Sequence, residues 1–226
     1  MLLATEATMD SQRALSLIAL RTLANPCETL SAGDIVTSNF EIIMSLAEEY
    51  LSTVIRRLKY YKDLGEKTFE QIEEKDFHWQ PSSESNSIAV IIQHLSGNML
   101  SRWTNFLNED GEKDWRDRDD EFEVHSYSPE QLVELWNNGW SCFLNALSSL
   151  KEEDLLKTIY IRHETLSVID AINRQVAHYP YHIGQVVYIG RLIKNEKWKS
   201  LSIPKKGSQE YNRGDQIKDP AKKFPR

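Results

Sequence analysis

The sequence predicts an all-α fold, an antiparallel bundle of four long helices with long crossover connections. Three observations carry this. Four stretches repeat their apolar residues at three- and four-residue steps, two long charged connections separate them, and extended character is confined to the brief piece Thr158-Ile-Tyr-Ile161. Each helix then has one apolar face to bury, and packing the faces together buries all four.

Residues 1–37 are expected to be a poorly ordered N-terminal extension, with Met44 as an alternative start. Their apolar run Ala14–Leu20 is short and follows Glu6 and Asp10 rather than a basic leader, so a secretion signal is not expected. The domain is placed at residues 38–212. From Asn39 the positions Phe40, Ile43, Tyr50, Val54, Leu58, Tyr61 and Leu64 form the buried stripe of a first helix, which Gly65 is expected to bend. Phe77 to Asn86 holds Pro81 and clustered small polar residues and reads as a loop, with Asn86 or Ser87 capping a second helix from Ile88 to about Leu107. Ser96, Gly97 and Ser101 on that helix would admit a closely packed partner. Residues 108–127 are a charged connection without periodicity. Ser128-Pro-Glu-Gln131 combines a capping serine, a proline at the first helical position and a glutamine at the third, which marks the start of a third helix. Its stripe is Leu132, Leu135, Trp136, Trp140, Phe143, Leu147 and Leu150. A last helix spans about Ser167 to Lys194, Leu201-Ser-Ile-Pro204 is expected to fold back on the domain, and residues 213–226 read as a disordered tail.

A chain of 226 residues with 40% hydrophobic residues can bury a sizeable core. Twenty-seven basic against thirty-four acidic side chains give a net charge of −7, which argues against nucleic acid as a partner. Only two cysteines occur, Cys27 and Cys142, so a disulfide framework and a thiolate zinc cluster are both excluded and a reducing cytoplasm is the expected compartment. No apolar run reaches the roughly 18 residues of a membrane span, so no membrane association is expected.

The chemistry is concentrated in the histidines. His178 and His182, in Gln175-Val-Ala-His-Tyr-Pro-Tyr-His-Ile-Gly-Gln185, lie four residues apart, so both imidazoles leave one helix face about one turn apart. His94 sits on the apolar second helix, and three imidazoles from two helices could bind one ion. Buried imidazoles satisfied by carbonyls or hydroxyls are the competing reading. Three neutral imidazoles suit zinc, nickel, iron or copper and leave coordination positions open, through which a thiol or water becomes nucleophilic at neutral pH. Asn98 and Arg102 follow His94 at four-residue steps and Gln185 follows His182 by three, which makes them second-tier candidates around the ion or the substrate. Pro180 removes the bond to the Val176 carbonyl and is expected to kink the helix between His178 and His182. His78, His125 and His163 fall in connections and read as surface residues. Arg116-Asp117-Arg118-Asp119 reads as a solvated or self-paired loop, with an anion clamp by Arg102, Arg116 and Arg118 as the alternative.

At His94 and at His178-Tyr-Pro-Tyr-His182, within this four-helix pattern, the chain resembles the DinB/YfiT-like superfamily of metal-dependent enzymes, and within it a bacterial branch of unknown function. The resembling blocks are Glu84-Ser-Asn-Ser-Ile-Ala-Val90, His94 to Trp103, Asp110-Gly-Glu-Lys113, Ala171 to Gln175, His178 to Gln185 and Leu201-Ser-Ile-Pro204, spanning about residues 40–212. The resemblance implies a DinB-like four-helix bundle holding a divalent metal on His94, His178 and His182; characterised relatives include enzymes that use low-molecular-weight thiols, as S-transferases or a thiol-dependent isomerase, and many others have no assigned reaction. The chain departs from the pattern at Pro180, where a small residue is expected between the histidines, and at Asp114, where relatives often carry proline.

The function expected is therefore that of a divalent-metal-dependent enzyme, with zinc or nickel favoured and iron possible, activating a thiol or water toward a small electrophile as an S-transferase or hydrolase. The alternative is a non-catalytic binding or stress-associated bundle, a homodimer among its options, in which metal or histidines only stabilise the helices.

Overall fold

Each of the four long helices opens on a serine whose hydroxyl accepts from a backbone N–H of the first turn, satisfying a donor that would otherwise be orphaned. A computed structural model describes residues 45–225; the expectations for residues 1–37 and for Asn39 to Met44 lie outside the described residues. Helix α1 spans Leu46–Phe69 behind Ser45, which forms a reciprocal capping box with Glu48. Helix α2 spans Ile88–Trp103 behind Ser87, and α3 spans Pro129–Ser149 behind Ser128, with the expected proline and the Gln131 capping box. Helix α4 spans Val168–Lys194 behind Ser167. Such caps contribute about 1 kcal/mol each.

The protein is predominantly helical. Helix α2 packs most extensively on α3 and α1 on α4, while α1 also meets α3 and α2 also meets α4. Apolar character all round α2 reflects its position: Ile88 to Leu95 are buried without a break, because α3, α4 and the short 3-10 turns Glu74–His78 and Asp120–Phe122 cover it. The core between the helices is aromatic. Trp136, Trp140, Phe143 and Tyr179 are all essentially unexposed and meet at offset or edge-on angles. Tyr179 also pins α4 to α2 by donating to Asn98 Oδ1 at 3.1 Å and accepting from Trp103 Nε1 at 3.2 Å.

Close helix approach is achieved differently from the expectation. Ser96 does face α3, where a Cβ on Gly139 would lie 2.9 Å from its Cα, and its hydroxyl donates to the Leu135 carbonyl. Ser101 instead donates to the Gly111 carbonyl at 2.7 Å and so pins the connection that follows α2. Gly97 makes room for a carboxylate, described below. Gly65 does not bend α1, which runs on to Phe69; the missing side chain admits the indole of Trp136, to which an added Cβ would come within 2.5 Å. Helix α4 is likewise continuous through Pro180.

Between α3 and α4 an antiparallel hairpin pairs β1, Thr158–Ile161, with β2, Glu164–Ser167. Its two turn residues, Arg162 and His163, both adopt positive φ, the conformation of a two-residue hairpin loop. Asp110 accepts from both their backbone N–H groups at 2.8 Å, and the Gly111 N–H donates to the Tyr160 carbonyl at 2.8 Å, which ties the hairpin to the charged 108–127 connection.

The polar tail departs from the disorder that its composition suggests. A short helix α5, Ser208–Arg213, is followed by a 3-10 turn at Pro220–Lys223 that buries Ala221 beside α1. Arg57 holds Asp219 through two parallel bonds of 2.6 and 2.7 Å and Lys59 Nζ donates to the Pro225 carbonyl at 2.8 Å, which together anchor a segment with little apolar surface of its own. Among the described residues no helix is long and apolar enough to cross a membrane.

Replacing Gly65 by alanine should destabilise the protein by about 1–3 kcal/mol through overpacking against the buried Trp136, although alanine raises helix propensity by roughly 1 kcal/mol. Urea unfolding of Gly65→Ala beside the parent checks this; a more stable variant would mean that the indole has room to shift.

Candidate metal centre

The i, i+4 spacing on α4 and the burial of α2 bring His94, His178 and His182 together. One ring nitrogen from each falls within a group whose members all lie within 4.8 Å of one another. His94 Nε2 is 3.3 Å from His178 Nε2, which is 3.1 Å from His182 Nε2. The three rings meet edge to face.

What lies on the far side of each ring sets the chemistry. His94 Nδ1 is 3.0 Å from Glu121 Oε2, a carboxylate that also accepts from Arg116 Nε at 2.7 Å and Nη2 at 2.8 Å. Burial pushes the Glu121 carboxyl up, but the Arg116 and His94 hydrogen bonds and charges outweigh it and hold the group below the usual carboxylate range. An ionised carboxylate can only accept, so Nδ1 of His94 carries the proton and donates. His182 Nδ1 donates to Gln185 Oε1 at 2.9 Å, and His178 Nδ1 to Gln175 Oε1 at 3.3 Å. All three Nε2 atoms therefore turn lone pairs toward one another.

That donor set fits a cation. Three facing lone pairs at these separations repel unless a positive charge, a metal ion or an added proton, sits among them. An oxygen acceptor behind each ligating imidazole is the arrangement that fixes the tautomer and strengthens the ligand. The three histidines thus lie close enough to hold a metal ion. Burial, and then the neighbouring imidazoles of His182 and His94, push His178 down to about 3, and burial lowers His182 against the opposing bond to Gln185. Both are neutral at physiological pH, as ligands must be.

The second-tier residues divide. Gln185 orients His182, Asn98 takes the Tyr179 hydroxyl and lines the adjoining cavity, and Arg102 lines that cavity while its Nη1 donates to the Gly111 carbonyl and Glu112. The remaining histidines are elsewhere: His78 bonds the Tyr127 carbonyl, His125 sits beside Asp120, and His163 is in the hairpin turn. Arg116 is not a solvated loop residue, since its side chain is 2% exposed and forked onto Glu121. Glu121 and Gln175 are the residues that sequence reasoning missed. Glu121 is one acid among many in the charged connection, but Gly97 carried a signal: three residues after His94, a Cβ there would overlap the Glu121 carboxylate.

The cavity beside the histidines has a volume of about 320 Å³ and opens to solvent. A larger depression of about 570 Å³ lies between Tyr188 and Lys205, lined by no histidine.

Two outcomes follow. Glu121→Gln and Gly97→Ala should each weaken zinc or nickel binding by about 10- to 100-fold, the usual cost of losing a ligand's outer partner, as read by competition with a chelating dye; unchanged affinity would mean that Glu121 does not orient His94. In metal-free protein, His178 and His182 take up protons near the ordinary value of about 6.5 only when unfolded. The unfolded chain therefore binds more protons between about pH 6.5 and 3, and stability falls as pH drops through that window. Thermal unfolding of metal-free protein from pH 7 to 4.5 should show the decline, and His178→Gln should flatten it; an equal slope in the variant would assign the acid sensitivity to other groups.

Comparison with known proteins places this chain in a family. No curated protein and no solved structure matches the chain. A family described as "Protein of unknown function (DUF1572)" matches residues 45–207, a span that holds all four long helices, the hairpin, the three histidines and Glu121. The chain accordingly belongs to the DUF1572 family.

Proposed function

We propose that this protein is a divalent-metal-dependent enzyme with a four-helix bundle of the DinB/YfiT-like type, acting on a small electrophile with a thiol or water as nucleophile. The observation that carries the reading is the convergence of three Nε2 lone pairs beside an open cavity of about 320 Å³, at the lower end of small-molecule site volumes. His94, His178 and His182 would hold the ion, with zinc or nickel favoured by three imidazoles and iron accommodated. When bound, such an ion supplies Lewis acidity that lowers the pKa of a thiol or water, to about 7 in the case of water on zinc.

The chain's own residues do the rest. Glu121, Gln175 and Gln185 hold the imidazoles in one tautomer and one orientation, so no reorganisation is needed on ligand binding. Phe122, whose ring lies 4.7 Å from that of His94, and the buried Tyr179 beside His178 cover flanks of the cluster. A low-molecular-weight thiol as cosubstrate accords with a cytoplasmic location.

The rival reading is a non-catalytic, metal-stabilised bundle, monomeric or homodimeric. Untagged protein loaded in turn with zinc, nickel and iron, analysed for metal and assayed for thiol transfer to a chromogenic electrophile and for ester hydrolysis, separates the two. The expected result is one equivalent of metal and a turnover that drops at least about 100-fold in His182→Ala. Metal that stabilises the fold while every thiol and ester fails would establish the rival, and failure to load any metal would remove the enzyme reading and leave a bundle stabilised by its histidines.

A further inference from the structure

The cavity beside the histidines is walled largely by arginine. Arg102, Arg116, Arg118, Arg162 and Arg174 all line it, five of the twelve arginines in a chain whose formal net charge is −7. Among the described lining residues there is no lysine and no carboxylate. Two carboxylates stand behind the wall and take up part of its charge. Glu112 accepts from Arg102 at 2.8 Å and Arg162 at 3.1 Å, and Glu121 accepts the fork of Arg116. Two acids do not balance five guanidiniums.

The imbalance has a location. Arg116 is anchored through Nε and Nη2, its side chain is 2% exposed, and its remaining nitrogen, Nη1, is buried with no hydrogen-bond partner among the described residues. Glu112 Oε2, at 3.9 Å from that nitrogen, is beyond hydrogen-bond reach. A buried charged donor left unsatisfied is costly, and such an atom beside a cavity is the mark of an acceptor that arrives from outside. Arg118 and Arg174 reach the same cavity from exposed positions, Arg118 from the connection and Arg174 from α4 one turn before His178. Guanidinium forks match the planar or tetrahedral oxygens of carboxylates and phosphates, which a hydrated ammonium does less well.

We infer that Arg116 Nη1, Arg118 and Arg174 form an anion site, and that the substrate or its thiol partner is a small molecule carrying a carboxylate or phosphate group. This rests on the proposed enzyme reading only for what the anion is attached to; the site itself is made by the arginines. A cavity of about 320 Å³ admits a metabolite-sized molecule and not a polymer. An anionic group held at the arginine wall leaves the other end of such a molecule beside His94, His178 and His182, so the wall orients what the histidine cluster acts on.

The test is binding on the full chain with inorganic phosphate, succinate and the uncharged diol 1,4-butanediol, by calorimetry in low-chloride buffer, for metal-free and zinc-loaded protein. Phosphate or succinate should bind the metal-free protein, the diol should not, and the stronger of the two anions identifies the group as phosphoryl or carboxylate. Arg118→Ala/Arg174→Ala, which alters exposed side chains only, should weaken that binding by about tenfold or more, while leaving zinc affinity within about twofold. Equal anion binding in this variant, or anion binding seen only with zinc present, would overturn the arginine site without touching the metal reading. Anion binding retained in a protein that takes up no metal would leave the arginine site standing and remove the metal reading instead.

Discussion

One buried carboxylate organises the histidine cluster of this molecule. Glu121 cannot stay ionised in a water-poor environment alone, so it is matched by the fork of Arg116 and by the N–H of His94. Each match constrains something else. The carboxylate needs the space left by Gly97, so one face of α2 must be bare next to the histidine. The fork folds the charged connection on itself, the His94 bond ties it to α2, and Phe122 beside it lies over the ring of His94. The accepted proton settles the tautomer and turns Nε2 toward the other two histidines. Without that carboxylate, His94 would be free to pair with His178 as a proton donor.

A second network holds the rim. Asp110 caps the hairpin turn through the two backbone N–H groups of Arg162 and His163, and Glu112 bridges Arg102 to Arg162. The hairpin is too short to be stable alone. Its role is to carry an arginine to the cavity mouth, and the Asp110 contacts set where that arginine falls. The acids of the 108–127 connection thus divide between structural work, as in the buried Glu121 and the half-buried Glu112, and surface positions such as Asp114 and Asp119 that face solvent. Composition alone gives them all the same appearance.

The legible parts of the sequence were those governed by local rules. Ser128-Pro-Glu-Gln131 reads as a helix start because a cap acts within one turn, and α3 begins there. His178 and His182 read as a pair because a helix places i and i+4 on one face whatever surrounds it. Gly65 misled for the opposite reason: glycine's low helix propensity suggests a bend, while its actual service is to admit Trp136, 71 positions further along the chain. Pro180 leaves α4 unbroken, since a helix held by packing tolerates one missing hydrogen bond. The tail misled because an arginine–aspartate fork and a lysine–carbonyl bond, invisible to composition, supply what apolar burial does not.

The sequence by itself determined the helical character, the starts of α2, α3 and α4, and three histidines able to share a centre, because caps, periodicity and helical spacing are properties of neighbouring residues. Only the tertiary structure decided that Glu121 rather than any other acid stands behind His94, and that five arginines from α2, α4, the hairpin turn and the 108–127 connection line one cavity. These partners lie far apart in the chain, 27 residues in the case of His94 and Glu121. Nothing in a local pattern distinguishes a solvated charge from one whose counterpart is delivered by the fold.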